Sequence, residues 1–321
     1  MRVEAGRGRA RAFSVPTSRR PRASVAARSG EGLYPWLWVL PALAMVLLFT
    51  IYPVAHTLWT SLHRVMILLP GEPFVGLVNY RAVLESAFFG PALLNSLWFT
   101  ATAAPLIVLL GLGVAHLLLA DFRGRFLVRS VVILPWVLPG AISAVLWIWI
   151  FHPSWGILNL ILYEAGLIDR YLPWLTDPPL VRISVVVAHV WTQFPFAAVL
   201  LMAALTAIDP QLYEAAKIDG AGRWQRFRFV TFPQIKAMVV VLLVYAALVA
   251  FTSYDLVYAM TGGGPGTATT LLSFQIWKES FSMYNFGNGA ALAFITVLIS
   301  LGFIFAIVKA LPSDLFGEPD A

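Results

Sequence analysis

The sequence predicts an all-α integral membrane protein with six transmembrane helices and both termini in the cytoplasm. Three observations lead there. The chain is 60% hydrophobic and 12% charged, against roughly 25% charged residues in an ordinary soluble domain; a soluble core could not hide that much apolar surface. Six stretches free of Asp, Glu, Lys and Arg come close to or exceed the roughly 20 residues that cross hydrocarbon as a helix. The Lys and Arg residues gather on alternate sides of those stretches, as the positive-inside bias requires.

The first 32 residues are rich in Arg, Ala and Ser and nearly devoid of apolar content. They read as a disordered basic leader attracted to anionic lipid. The Arg19-Arg20 pair is not read as an export signal, because the apolar run that follows is full length and has no small-residue cleavage site. The six spans are Leu33–Leu62, Ala92–Ala120, Ser130–Phe151, Ile183–Ile208, Ala237–Tyr254 and Asn288–Val308. A backbone crossing lipid must satisfy its own hydrogen bonds, so each is expected to be a helix. With the N-terminus inside, the inner side holds eight Arg in the leader, three in 121–130, five Lys or Arg in 208–236, and Lys309. Only Arg64, Arg81, Arg170, Arg182 and Lys278 lie outside. The chain therefore divides into the leader 1–32, a membrane domain 33–310 and a cytoplasmic tail 311–321, with no internal repeat.

The inner loop 208–236 has its own local logic. Asp209-Pro210 is a helix start, since Asp caps free amides and Pro is tolerated at the first helical position. A short helix over Gln211–Ile218 should follow, ended by Gly220 in a left-handed turn. Ala215 and Ala216 keep one face low, so another protein can approach closely. Glu214 and Asp219 are acidic anchors for a partner's Arg or Lys. Arg223, Arg226 and Arg228 are expected on a second short segment along the lipid headgroups, and Pro233 to set the angle at which the next span enters.

The same stretch carries a pattern. Glu214-Ala215-Ala216, then Asp219-Gly220-Ala221, then Phe232-Pro233 past a basic segment resemble the "EAA" cytoplasmic loop of the permease subunits of ATP-driven (ABC) importers. Three further stretches resemble the carbohydrate branch of that family. They are Gly76-Leu77 with Asn79-Tyr80; Pro135-Trp136 followed by Trp147, Phe151, Gly156 and Asn159; and Tyr254-Asp255 through Tyr258 to Thr261-Gly262-Gly263-Gly264-Pro265. The resemblance covers about residues 33 to 310. It implies the type I importer permease fold and a maltose- or trehalose-type inner-membrane component. It further implies a heterodimer with a second, similar permease, two copies of a cytoplasmic ATPase that binds ATP and Mg, and an extracytoplasmic sugar-binding protein. Glu214, Ala215, Ala216, Asp219, Gly220, Ala221 and Pro233 would then couple to the ATPase. Gly156, Asn159, Gly262, Gly263, Gly264 and Pro265 would face the binding protein. In this family often only one of the two paired permeases touches the substrate strongly.

A sugar site needs hydrogen-bonding side chains beside aromatic platforms. Span four offers Trp191-Thr192-Gln193-Phe194 before Pro195, where a kink or unwound turn could expose carbonyls. Span five offers Tyr245 and Thr252 on one face, with Ser253, Tyr254 and Asp255 at its outer end. Asp255 interrupts an uncharged run, and an ionisable group at membrane depth is a functional candidate by default. Alternatively it sits at the outer interface or steadies the Gly262–Pro265 turn. Asn95 and Gln193 are either substrate contacts or interhelical hydrogen bonds, and Trp191 and Tyr254 either platforms or interfacial aromatics.

Several functions are disfavoured. There is no cysteine, which excludes disulfides and thiolate metal sites. No G-x-x-x-x-G-K-[S/T] loop occurs, so the ATP hydrolysis that the resemblance implies would reside on another subunit. His56, His63, His116, His152 and His189 show no H-x-x-x-H or H-E-x-x-H spacing and read as packing residues; no metal site, nucleophile triad or paired carboxylates are visible. The basic charge flanks apolar runs, which argues for membrane lipid rather than nucleic acid. The expected substrate is a di- or oligosaccharide. A monosaccharide, a polyol or glycerol 3-phosphate is the alternative, though the spans lack the Lys or Arg a phosphate ester would want. An ion-coupled secondary transporter or a lipid-acting membrane enzyme would need acidic or histidine clusters that are not seen.

Overall fold

The computed structural model describes residues 34–309; the expectations for 1–32 and 311–321 lie outside the described residues. Among those described, every regular element is a helix, with two isolated bridges joining His63 to Phe74 and Met66 to Asn285. Five helices are long and apolar enough to cross a membrane, and six segments do so if one sharply bent pair counts as a single span.

The chain starts with α1 (Tyr34–Val46) and passes through a π-turn, Leu47–Ile51, into α2 (Tyr52–Ser61). Among the described residues, those to Pro53 fall in one compact unit and those from Val54 onward in another. After a short α3 (Val78–Leu84) comes α4 (Phe89–Leu119). The next two elements, α5 (Arg125–Val137) and α6 (Gly140–Ile150), meet at 105°. This corrects the expectation of one straight helix over Ser130–Phe151. Leu138 is extended at ψ 133°, the conformation the following Pro139 imposes on its predecessor. A proline also supplies no amide with which α5 could continue.

Beyond α7 (Ile157–Glu164), α8 (Pro178–Thr206) is capped by Asp177, whose carboxylate accepts from the Leu180 amide at 3.3 Å. It runs unbroken through Pro195, so of the kink or unwound turn considered there the unwound turn does not form. The long helices α4 and α8 pack as a small-residue pair. A Cβ added to Gly111 would come 2.8 Å from the Ala197 Cβ, and Ala103, Ala104, Ala115, Ala188 and Ala198 are buried. Close backbone approach through small residues is how helices associate where lipid offers no hydrophobic drive.

The remaining elements are α9 (Pro210–Ile218), α10 (Arg223–Arg226), α11 (Phe232–Phe251), α12 (Asp255–Thr261), α13 (Leu272–Trp277) and α14 (Phe286–Lys309). A π-turn, Phe227–Thr231, fuses α10 to α11, so a continuous helix runs from Arg223 to Phe251. Arg223, Arg226 and Arg228 therefore belong to the first turns of the fifth span, not to a separate segment. Pro233 lies inside that helix and does not mark its entry. The Phe232 amide reaches back five residues to the Phe227 carbonyl. The wider turn relieves the clash a proline ring otherwise makes with the carbonyl four residues earlier. The same device precedes Pro53, where the Tyr52 amide reaches Leu47. The fifth span also ends earlier than expected, at Phe251. Ser253 and Tyr254 lie in a break, and Asp255 opens the separate helix α12.

Candidate functional site

Two regions gather the residues singled out by sequence. The first is the loop between α8 and α11. The Asp209 carboxylate accepts from the Gln211 amide at 2.8 Å, and Pro210 occupies the first turn of α9. The helix stops in a Schellman turn: Gly220 sits at φ +77°, its amide donates to Lys217 O at 3.0 Å, and the Ala221 amide donates to Ala216 O at 2.9 Å. The next turn is set by the Gly222 amide, which donates to Gln225 Oε1 at 2.7 Å. Glu214 does not stand alone, because Lys217 Nζ lies 2.7 Å from its carboxylate, with both side chains exposed. Ala215, Asp219 and Gly220 are exposed and Ala216 is half-buried. The apolar Ile218 is 87% exposed and Trp224 72%; sequence reasoning missed both as members of this face. The Tyr213 hydroxyl, 2.9 Å from Thr231 Oγ1, ties α9 to the base of the fifth span.

The second region is an open cavity of about 300 Å³ lined by residues of α5, α6, α8, α11 and α12 and the turns beside them. Gln193, Thr252, Ser253, Tyr254 and Asp255 all line it, together with Trp136, His189 and Thr192. Its walls include one carboxylate, Asp255, and neither Lys nor Arg. No ion pair engages Asp255 among the described residues, although a Cβ added to Gly140 would overlap its carboxylate. The broken third span is therefore what lets α12 present Asp255 to the cavity. His189 is buried, and its Nε2 has no hydrogen-bond partner. Sequence reasoning set His189 aside as packing, yet its position four residues before Gln193 places both on one helix face.

Three expected pathway residues lie elsewhere. Asn95 donates to Thr267 O at 2.7 Å and Thr270 O at 3.1 Å, pinning a loop to α4. Trp191 packs edge-on against Trp147, ring centroids 5.7 Å apart. Tyr245 is not among the lining residues, and its ring centroid lies 4.6 Å from that of Phe196.

Residues 107–312 match the family described as binding-protein-dependent transport system inner membrane component. The chain belongs to that family. It is 38% identical over 282 residues to the trehalose/maltose transport system permease protein MalF of Thermococcus litoralis, covering 87% of this chain and 94% of the relative. It is 31% identical over 298 residues to the trehalose transport system permease protein SugA of Mycobacterium tuberculosis, covering 91% and 93%. The fold is shared with a bacterial ABC transporter involved in the import of the acidic polysaccharide alginate, with TM-score 0.72, 24% identity and coverage of 86% and 94%. These relatives are transport permeases, not enzymes.

In this permease the segment between α12 and α13 is built as a braced turn. Gly262 and Gly263 adopt φ +59° and +83°, and Gly264-Pro265 is a cis peptide. Thr269 Oγ1 donates to Gly264 O at 2.9 Å and Thr270 Oγ1 to Gly263 O at 3.0 Å. Arg182 Nε reaches Ala268 O at 3.1 Å, and Ser96 Oγ accepts the Leu272 amide at 2.9 Å. Gly262 is exposed, Gly264 and Pro265 are half-buried, and Gly263 is buried. The other loop residues are internal. Asn159 is wholly buried, and its side chain accepts from the Leu172 amide at 3.0 Å and Trp174 Nε1 at 2.9 Å while donating to Leu172 O at 3.0 Å. A Cβ added to Gly156 would come 2.5 Å from the carbonyls of Ile150 and His152. Gly156 and Asn159 thus shape the loop after α6 from within and offer no surface of their own.

Proposed function

We propose that this permease carries a neutral di- or oligosaccharide across the membrane, with the cavity beside Asp255 as part of the path. The observation that carries the reading is the wall chemistry: amide, hydroxyl and carboxylate groups beside Trp136 and Tyr254, and no cation. Hydroxyl-rich, uncharged ligands match such a lining, whereas glycerol 3-phosphate would face Asp255 with nothing to pair its phosphate. Trehalose and maltose are named for the relatives and are the first candidates here.

In this reading both termini are cytoplasmic, and α9 with its Schellman turn engages a separate ATPase that binds ATP and Mg. The exposed Ile218 and the low Ala215–Ala216 face support a protein contact there. A second permease completes the pathway, and an extracytoplasmic binding protein delivers the sugar to the face bearing Gly262. One solved fold relative is a bacterial alginate ABC transporter in complex with an alginate pentasaccharide-bound periplasmic protein, which supports a partner of that kind.

The test is to purify the tagged chain from native membranes, identify its companions, and reconstitute the assembly in liposomes with internal ATP. Uptake of trehalose or maltose that stops in Glu214→Lys is the expected result. Transport of glycerol 3-phosphate alone, or uptake by this chain without an ATPase, would overturn the reading.

A further inference from the structure

Four aromatic rings at the edge of the cavity form a connected cluster. Tyr254 and Tyr258, one turn apart at the start of α12, are stacked with centroids 5.4 Å apart. Across from them on α13, Phe274 and Trp277 are stacked at 5.7 Å. Trp277 joins the pairs, 4.7 Å from Tyr258 and 5.9 Å from Tyr254. One end of this cluster, Tyr254, is itself a cavity wall. The other end opens outward: Tyr258 is 47% exposed and Trp277 half-buried. Among the described residues nothing hydrogen-bonds to the Tyr254 or Tyr258 hydroxyl or to Trp277 Nε1, and none of these atoms is a buried orphan.

The geometry points to Tyr254, Tyr258 and Trp277 as an aromatic platform that receives a neutral pyranose ring outside the cavity and passes it to the Asp255 wall. This rests on the proposed sugar-transport function. A pyranose presents a face of C–H bonds and an edge of hydroxyls. Flat rings answer the first feature by contact on the face, and the polar groups of the adjoining cavity wall answer the second. Aromatic residues also serve as interfacial anchors, but such anchors need no ring-to-ring path into a polar cavity. Here the path is continuous from an exposed tyrosine to a wall shared with Gln193 and Asp255.

The test uses the full assembly with its partners, reconstituted in liposomes, and compares Tyr258→Phe, Tyr258→Leu, Trp277→Phe and Trp277→Leu in uptake of trehalose and maltose. Phenylalanine keeps a flat face; leucine keeps apolar bulk and loses it. The platform predicts KM raised about three- to tenfold in each leucine variant, within twofold of wild type in each phenylalanine variant, and kcat unchanged. Equal KM across all four variants would overturn it. So would loss of subunit assembly with KM preserved in the surviving complex, which would assign the rings to packing against a partner or lipid. If the wild-type assembly transports no neutral sugar, the proposed function itself fails, and that outcome is distinct from a normal wild type with indifferent variants.

Discussion

The carboxylate of Asp255 lies against the backbone of Gly140 so closely that the glycine has no room for a Cβ. One residue opens α6 after the break in the third span, and the other opens α12 after the fifth. The contact joins two interruptions of helices that sequence periodicity treats as uninterrupted, and it forms one wall of the cavity.

Gly140→Ala should therefore destabilise the solubilised protein by about 1–3 kcal/mol, the usual cost of forcing extra volume into a filled site. Adding Asp255→Ala should recover much of that loss, a coupling that a double-mutant cycle on thermal unfolding measures. Additive losses would show that the two residues do not share the space.

At Gly220 an added Cβ meets nothing within 4 Å, so the cost of substitution is conformational, not steric. A left-handed position costs an ordinary residue about 1–2 kcal/mol, and Asn tolerates it better. ATPase co-purification should rank wild type, Gly220→Asn, Gly220→Ala and then Gly220→Pro. Proline also removes the amide that donates to Lys217 O, and its φ is held negative.

The Lys217–Glu214 pair is exposed on both sides, and such pairs contribute about 0–1 kcal/mol. Lys217→Ala should leave thermal stability nearly unchanged while freeing the Glu214 carboxylate. Pull-down with the ATPase should be as strong as wild type or stronger. Weaker association would mean that Lys217 itself reaches the partner.

Asn159→Leu keeps the volume but strands the Leu172 amide and carbonyl and the Trp174 indole N–H inside the loop. Leaving buried polar groups unpaired costs about 1–3 kcal/mol each where they cannot reach water. We expect a melting temperature clearly below wild type, and a larger fall than for Asn95→Ala. Asn95→Ala releases part of a turn that Arg182 and Ser96 still hold, so its main effect should be weaker capture of the binding protein.

The membrane class, the number of apolar segments and the α9 helix with its glycine stop were legible in sequence because each depends on neighbours along the chain. Apolar runs report on lipid, and Asp209-Pro210 and Gly220 act within a few residues of themselves. The break between α5 and α6 was signalled by Pro139-Gly140 but read through, since hydropathy is blind to direction. The paths of Asn95, Asn159 and Arg182 could not be read, because their carbonyl partners are brought near only by folding; for Asn95 the nearest of these is Thr267. Composition and local pattern determined that this chain is a helical membrane protein, and the resemblance of its inner loop supplied the permease reading. Tertiary structure alone decided that Gln193 and Asp255 face one cavity while Tyr245, Trp191 and Asn95 stand behind or away from it, because a side chain's direction depends on where helices break and against what they pack.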